Sequence, residues 1–214
     1  MLFLDELPEF SPQALDALRQ PLETGECVVA RANGCVTYPA KFQLVAAMNP
    51  CRCGMSGEPG YRCARGERCR ADYQARLSGP LLDRIDLKIE VPAVTASDLI
   101  SPGRAEASSE VAQRVARARD LQAARYQTLG AESVTVNAHC PTGLIEEVAQ
   151  LDQAGASLLR DASEKLALSA RAYHRVLKVA RTIADLDASE AVRRIHLAEA
   201  ISYRMAGERV KQAA

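Results

Sequence analysis

At 214 residues the chain is long enough for one large domain or two small ones, and its 48% hydrophobic content is that of a folded protein. Lys plus Arg equals Asp plus Glu at 27 each, so no global basic field favours nucleic acid, and any such contact must come from a local cluster. No apolar run approaches the roughly 20 residues of a membrane helix, and Met1-Leu2-Phe3-Leu4-Asp5-Glu6 lacks the basic flank and cleavage site of a signal peptide. A cytoplasmic protein with no membrane partner is expected.

Met1-Leu2-Phe3-Leu4 is a short apolar run ending in two carboxylates, which predicts a buried parallel strand whose carboxyl end meets a ligand crevice. Parallel strands need neighbours and crossovers, so a strand this early implies part of a longer protein. Ser11 to Leu22 has helical spacing, with Ser11-Pro12 as cap and first residue and Gly25 as the stop. Cys27 to Ala30 and Cys35 to Tyr38 flank Asn33-Gly34, the signal of a hairpin with a type I′ turn. Phe42 to Met48 predicts a second buried strand that delivers Asn49 to the same sheet edge as Asp5 and Glu6.

Cys51 to Arg70 is aperiodic and rich in Gly, Arg and Cys. Leu77 to Leu82 predicts a short helix or turn, and Ile85 to Val91 a further strand. Pro102-Gly103 and small residues mark a linker over 93–107. Helical patterns follow near 108–129, 142–152, 155–167, 169–186 and 193–206. The helix from Ser169 has the clearest apolar stripe, through Tyr173, Val176, Leu177, Ala180, Ile183 and Ala184.

Leu2-Phe3-Leu4-Asp5-Glu6 has the form of a Walker B motif, in which the first acid holds Mg²⁺ through water and the second orients the attacking water. A plain strand-to-loop boundary reads the same way, and the order of the features behind it separates the two. Leu2 to Phe10, Pro21-Leu22-Glu23-Thr24-Gly25-Glu26, Asn49-Pro50-Cys51-Arg52-Cys53-Gly54, Ser78-Gly79-Pro80-Leu81-Leu82-Asp83-Arg84-Ile85-Asp86-Leu87 and Ser169-Ala170-Arg171-Ala172-Tyr173 resemble, in sequence and in order, the ComM/YifB family of magnesium-chelatase-like AAA+ ATPases.

The resemblance implies roles for particular residues. Asn49 matches sensor 1, although Asn before Pro is also a common turn starter. Arg84 matches the arginine finger, which reaches a neighbouring subunit's nucleotide; a salt bridge to Asp83 or Asp86 is the alternative. Arg171 matches sensor 2. An arginine in a first helical turn opposes the helix dipole, which itself suggests another reason for being there. The hairpin corresponds to a pre-sensor-1 hairpin facing a pore, where Arg31 near the tip would track DNA phosphates; an ordinary solvated hairpin arginine is the other reading. The implied cofactors are ATP and Mg²⁺, and the implied assembly is a homo-oligomeric, hexameric ring.

Cys51, Cys53, Cys63 and Cys69 give C-x-C, nine residues, then C-x₅-C. Four thiolates in so short an insertion suit a tetrahedral Zn²⁺ site, with four free thiols as the alternative, because the spacing departs from the usual C-x₂₋₄-C. It also departs from the family, where the second pair is often tighter. Arg52, Arg62, Arg65, Arg68 and Arg70 make this insertion the most basic local patch. Cys27, Cys35 and Cys140 read as bystanders, and His139, His174 and His196 as structural or surface residues. Arg114, Arg117, Arg119 and Arg125 read as a solvated helix face opposite Val111, Val115 and Ala118.

The expected architecture is α/β: a partial AAA+ parallel-sheet core over residues 1–92, without its P-loop half, then the 93–107 linker and an all-helical lid over 108–214. No Gly-x-x-x-x-Gly-Lys-Ser/Thr occurs, so the backbone phosphate cradle is missing and ATP hydrolysis by this chain alone is not expected. The resemblance implies that the chain is part of an ATP-driven DNA motor of branch migration, recombination and natural transformation. A magnesium-chelatase ATPase subunit and a non-enzymatic binding or oligomerisation fragment are the rivals.

Overall fold

The computed structural model describes residues 1–32, 34–54, 63, 66–94, 99–100 and 105–205. The described residues divide into two units, one of Met1–Ile85 with Val91–Ala93, the other of Asp86–Glu90 with those between 94 and 205. The first is mixed α/β and the second helical.

Strand β1 (Leu2–Leu4) opens the first unit and a 3-10 turn, Leu7–Glu9, follows. Ser11 caps α1 (Pro12–Ala17), its hydroxyl accepting the Ala14 N–H at 3.3 Å. The single helix expected here is two, because α2 (Arg19–Thr24) starts afresh after Leu18. Pro21 is the cause: it has no N–H to offer the Ala17 carbonyl, and its ring crowds that oxygen. Gly25 ends α2 at φ 70°, and a Cβ there would lie 2.6 Å from Cγ of Lys41, so only glycine fits.

Strands β2 (Glu26–Arg31) and β3 (Gly34–Pro39) form the expected antiparallel hairpin, but the turn lies one residue earlier than the Asn33-Gly34 dipeptide indicates. Gly34 is already in the ladder, opposite Arg31, while Asn33 lies outside the described residues. This register sets Val29 against Val36 and Val28 against Thr37, and such β-branched cross-strand pairs outweigh the local turn preference.

Strand β4 (Leu44–Ala46) runs parallel to β1, with Leu2, Phe3 and Leu4 opposite Leu44, Val45 and Ala46. Two further bonds, Ala47 N–H to the Leu4 carbonyl at 2.9 Å and Leu7 N–H to the Ala47 carbonyl at 3.0 Å, carry the pairing past both strand ends. Neither strand is buried as expected, since Phe3 stays 58% and Val45 37% exposed. Among the described residues, core gathers where Leu7, Leu15, Leu77 and Leu81 meet Leu4, Leu18, Leu22 and Leu82. Helices α3 (Glu67–Gln74) and α4 (Gly79–Leu82) complete the unit, the latter capped by Ser78.

Residues 85–91 form no strand, contrary to the alternation of Ile85, Leu87, Ile89 and Val91. A strand needs a ladder partner, and among the described residues none is offered. The Lys88 N–H instead donates to the Tyr203 carbonyl at 3.2 Å. Of the 93–107 segment, Pro102-Gly103 lies outside the described residues, as do residues 206–214.

The second unit contains α5 (Ser108–Thr128), a 3-10 turn at Asn137–His139, α6 (Thr142–Val148), α7 (Gln153–Lys165), α8 (Ala170–Leu186) and α9 (Arg194–Met205). The stripe of α8 is the core: Val176, Leu177, Ala180 and Ala184 are buried among Tyr126, Ile145, Leu159, Val192 and Leu197. On α5 the expectation is corrected, because Val111 and Val115 are exposed and Arg125 is drawn inward. The attraction is Asp185, buried on α8, whose carboxylate pairs with Arg125 and with Arg181 and accepts from Nδ2 of Asn137 at 2.8 Å. Arg181 also donates to the Glu190 and Ser189 carbonyls, at 2.7 and 2.6 Å. Its burial lowers its pKa, against which the Asp185 charge works.

At the start of α9, Nδ1 of His196 accepts the Arg193 N–H at 3.1 Å, so Nε2 carries the ring proton toward Asp187 at 3.2 Å. That hydrogen bond, followed by the Arg193 charge, lowers the Asp187 pKa below 3.8.

Asp185→Ala should destabilise the helical unit by about 3–5 kcal/mol, because two arginines lose a buried partner, while Arg193→Ala at an exposed pair should cost under about 1 kcal/mol. Urea unfolding followed by circular dichroism checks both. The fold holds Asp187 below its unfolded value, so its contribution is present at neutral pH and disappears as pH falls through the folded pKa. His196→Ala should move the Asp187 midpoint back up toward 3.8, as read by carboxyl-carbon NMR.

Candidate functional site

Parallel pairing makes β1 and β4 leave the sheet at the same end. Asp5-Glu6 and Asn49 therefore emerge from neighbouring strands in one direction, at the carboxyl edge where open α/β sheets bind ligands. Asp5, Glu6 and Asn49 are all exposed. Oδ1 of Asp5 accepts the Glu6 N–H at 2.9 Å. Glu6 has φ 51° and ψ 48°, a left-handed conformation that costs a residue with a Cβ about 1–2 kcal/mol. The Leu7 N–H bond to Ala47 holds the chain in this turn and commits it to the Leu7–Glu9 turn, where Leu7 and Pro8 are buried.

Arg84 follows α4 and is largely withdrawn from solvent, its side chain 11% exposed. Its Nε lies 2.9 Å from Oε2 of Glu23, and NH1 donates to the Pro80 carbonyl at 2.7 Å. An ion pair is thus made with Glu23, on α2. Asp86 pairs with Arg175 at 2.6 Å, within the second unit. Arg31 is exposed at the end of β2.

Arg171 belongs to the second unit, as the second residue of α8, exposed just past the Ser169 cap. One turn on, Arg175 bonds Asp86, and Lys178, half-buried, donates to the Ala138 carbonyl at 3.1 Å. Burial lowers the Lys178 pKa.

The four cysteines of the basic insertion converge. Sγ atoms of Cys51, Cys53, Cys63 and Cys69 all lie within 4.8 Å of one another, and among the described residues no other His, Cys, Asp or Glu group gathers in this way. Cys27, Cys35 and Cys140 stand apart. Arg62 and Arg65 lie outside the described residues.

A family model described as magnesium chelatase, subunit ChlI, matches residues 1–99, and its C-terminal counterpart matches residues 105–204. The competence protein ComM of Haemophilus influenzae is 46% identical over 205 residues, 95% of this chain and 38% of its own length. YifB of Escherichia coli is 45% identical over 95% of this chain and 39% of itself. The chain belongs to the magnesium-chelatase-like ComM/YifB family. An uncharacterised protein of Mycobacterium tuberculosis is 40% identical over 98% of this chain and 40% of itself. The chain therefore spans about two fifths of the length of these curated relatives.

Two residues of the ComM/YifB-like first unit escape motif reading. Glu23 sits within the family motif over 21–26, but only the fold reveals it as a partner of Arg84. Tyr73, buried on α3, has its pKa raised by burial and then by the Glu9 and Glu6 charges, the latter a candidate Walker B acid. The only signal in the sequence is a lone aromatic four residues after Cys69.

Replacing Glu6 tests the strained turn. Glu6→Gly should be more stable than Glu6→Ala by about 1 kcal/mol, because only glycine adopts this backbone without cost. Equal urea midpoints for the two variants would contradict the assignment.

Proposed function

We propose that the chain is part of a ring-forming, ATP-driven motor that acts on DNA in the cytoplasm. The observation that carries this reading is the shared exit of Asp5-Glu6 and Asn49 from the parallel pair β1 and β4, in a chain that is 46% identical to a competence protein. Asp5 would hold Mg²⁺ through water, and its exposed carboxylate at a strand's carboxyl end is the hard-oxygen donor this ion prefers. When bound, Mg²⁺ supplies neutralising charge on the phosphates. Glu6 orients the attacking water and Asn49 senses the terminal phosphate.

Arg171 contacts the nucleotide of its own subunit and Arg84 that of the next, in a homo-oligomeric, hexameric ring. Glu23 is a resting partner of Arg84, so the finger is held at fixed geometry until an adjacent phosphate competes for it. Arg31, exposed on the hairpin, follows DNA phosphates without reading bases. Residues 1–92 act as the partial AAA+ core, 93–107 as linker and 108–214 as lid.

The description of both matching family models supports a second reading, the ATPase subunit of a magnesium chelatase. A non-enzymatic binding or oligomerisation fragment is the third, favoured by the missing Gly-x-x-x-x-Gly-Lys signature. The chain should show no ATP turnover above background. It should bind a fluorescent single-stranded oligonucleotide in anisotropy. Arg31→Ala should weaken that binding and make the fall of log affinity with log salt shallower by about 0.7, the value for one phosphate on a single strand. Absence of DNA binding at low salt would remove the DNA-motor reading, and turnover would show that the phosphate cradle is dispensable.

A further inference from the structure

We propose that Cys51, Cys53, Cys63 and Cys69 bind one Zn²⁺ ion as a closed tetrathiolate site that ties α3 to the turn carrying Asn49. Tetrahedral Zn–S bonds of about 2.3 Å set sulfurs about 3.8 Å apart. The four Sγ atoms lie within 4.8 Å of one another, with Cys53 3.1 Å from Cys51 and 3.2 Å from Cys63, so shifts of about 1 Å or less, closing the wide pairs and opening the narrow ones, produce that geometry. The packing suits a single ion, since a multi-iron cluster would hold its thiolates further apart. Four soft sulfur ligands at tetrahedral spacing select Zn²⁺ among the common divalent ions.

The backbone is shaped for the purpose at both ends of the insertion. The Gly54 N–H closes a turn on the Cys51 carbonyl at 3.0 Å, with Gly54 at φ 73°, which lets Cys51 and Cys53 face one point despite the short C-x-C spacing. The Gly66 N–H likewise bonds the Cys63 carbonyl at 2.9 Å and leads into α3, whose first turn carries Cys69. Partial positive charge at that helix start favours a thiolate ligand. Cys51 and Cys69 are buried, Cys63 is partly so and Cys53 is exposed. Four protein ligands leave no open position, so the site is structural, not catalytic.

Binding releases the four thiol protons and leaves Zn(Cys)₄ with two net negative charges, which Arg52, Arg68 and Arg70 stand close in sequence to offset. Mechanically, the ion would join the turn after Asn49 to the start of α3. Cys51 is two residues from Asn49, and Cys69 is one helical turn from Tyr73. Next to it, Nε2 of Gln74 donates to the Pro50 carbonyl at 3.3 Å, the residue between Asn49 and Cys51. The zinc proposal stands without the nucleotide reading, since it rests on sulfur geometry alone.

The chain, purified reduced and without chelator, should carry one zinc per molecule by elemental analysis. Exchange for Co²⁺ should give the intense visible bands of a tetrahedral site together with thiolate-to-cobalt charge transfer. Cys69→Ser should lose the metal and Cys140→Ala should keep it. Because a cysteine variant can fail to fold, the unmutated protein supplies a second readout: titration with a mercurial should release zinc as four thiols react. Chelation should speed amide exchange across residues 67–74 while leaving α8 protected. Acidification should displace the metal, as protons compete for the thiolates. Reduced, folded protein that neither retains zinc nor gives a tetrahedral cobalt spectrum overturns the proposal, as does purified protein in which these cysteines form disulfides.

Discussion

Parallel pairing of β1 with β4 is the constraint on which the first unit depends. Three residue pairs and the two flanking bonds through Ala47 fix not only the sheet but the direction in which both chains leave it. An antiparallel arrangement would have sent Asp5 and Asn49 to opposite ends. The same bonds press the chain into the left-handed turn at Glu6, so the local strain is held between pairing at Leu4 and at Leu7. Burial of Leu7 with Leu15, Leu77 and Leu81 supplies the stabilisation that makes this turn tolerable.

The helical unit depends instead on a charge. Asp185 has almost no exposed surface, and its burial is acceptable because Arg125, Arg181 and Asn137 surround it. This hub joins α5 and the nearby Asn137–His139 turn to α8, some way further along the chain, and it demands one register of α5 against α8. Apolar packing through Leu177, Ile145 and Leu197 provides the bulk of the stability, but it is less particular about register. Tyr126 belongs to the same set, its hydroxyl donating to Oδ1 of Asn137 at 3.0 Å and its pKa pushed up first by burial.

Both units therefore place polar chemistry at positions that adjacent apolar packing makes rigid. In the first unit Glu23 holds Arg84, and α3 brings Tyr73 toward the acids that follow β1. The cysteine cluster links the turn after Asn49 to the first turn of α3, and an ion there would tie the two together.

Periodicity and local chemistry alone determined much of this protein. The α8 stripe, the Ser11 and Ser169 caps, the Gly25 stop and the hairpin all follow from preferences acting over a few residues. The family, too, was legible, because several motifs recur in one order. Tertiary structure decided what depends on distant partners. Pro21 divided a helix whose apolar spacing is continuous, and cross-strand valines moved the hairpin turn by one residue. Residues 85–91 found no ladder partner among the described residues. Arg125, solvent-facing by helical phase, turned to a buried carboxylate 60 residues away. Charge partners of this kind leave no periodic trace, since an ion pair needs only two side chains brought together by the fold. Cysteine spacing likewise named the ligands, but only folding brought their four sulfurs within 4.8 Å.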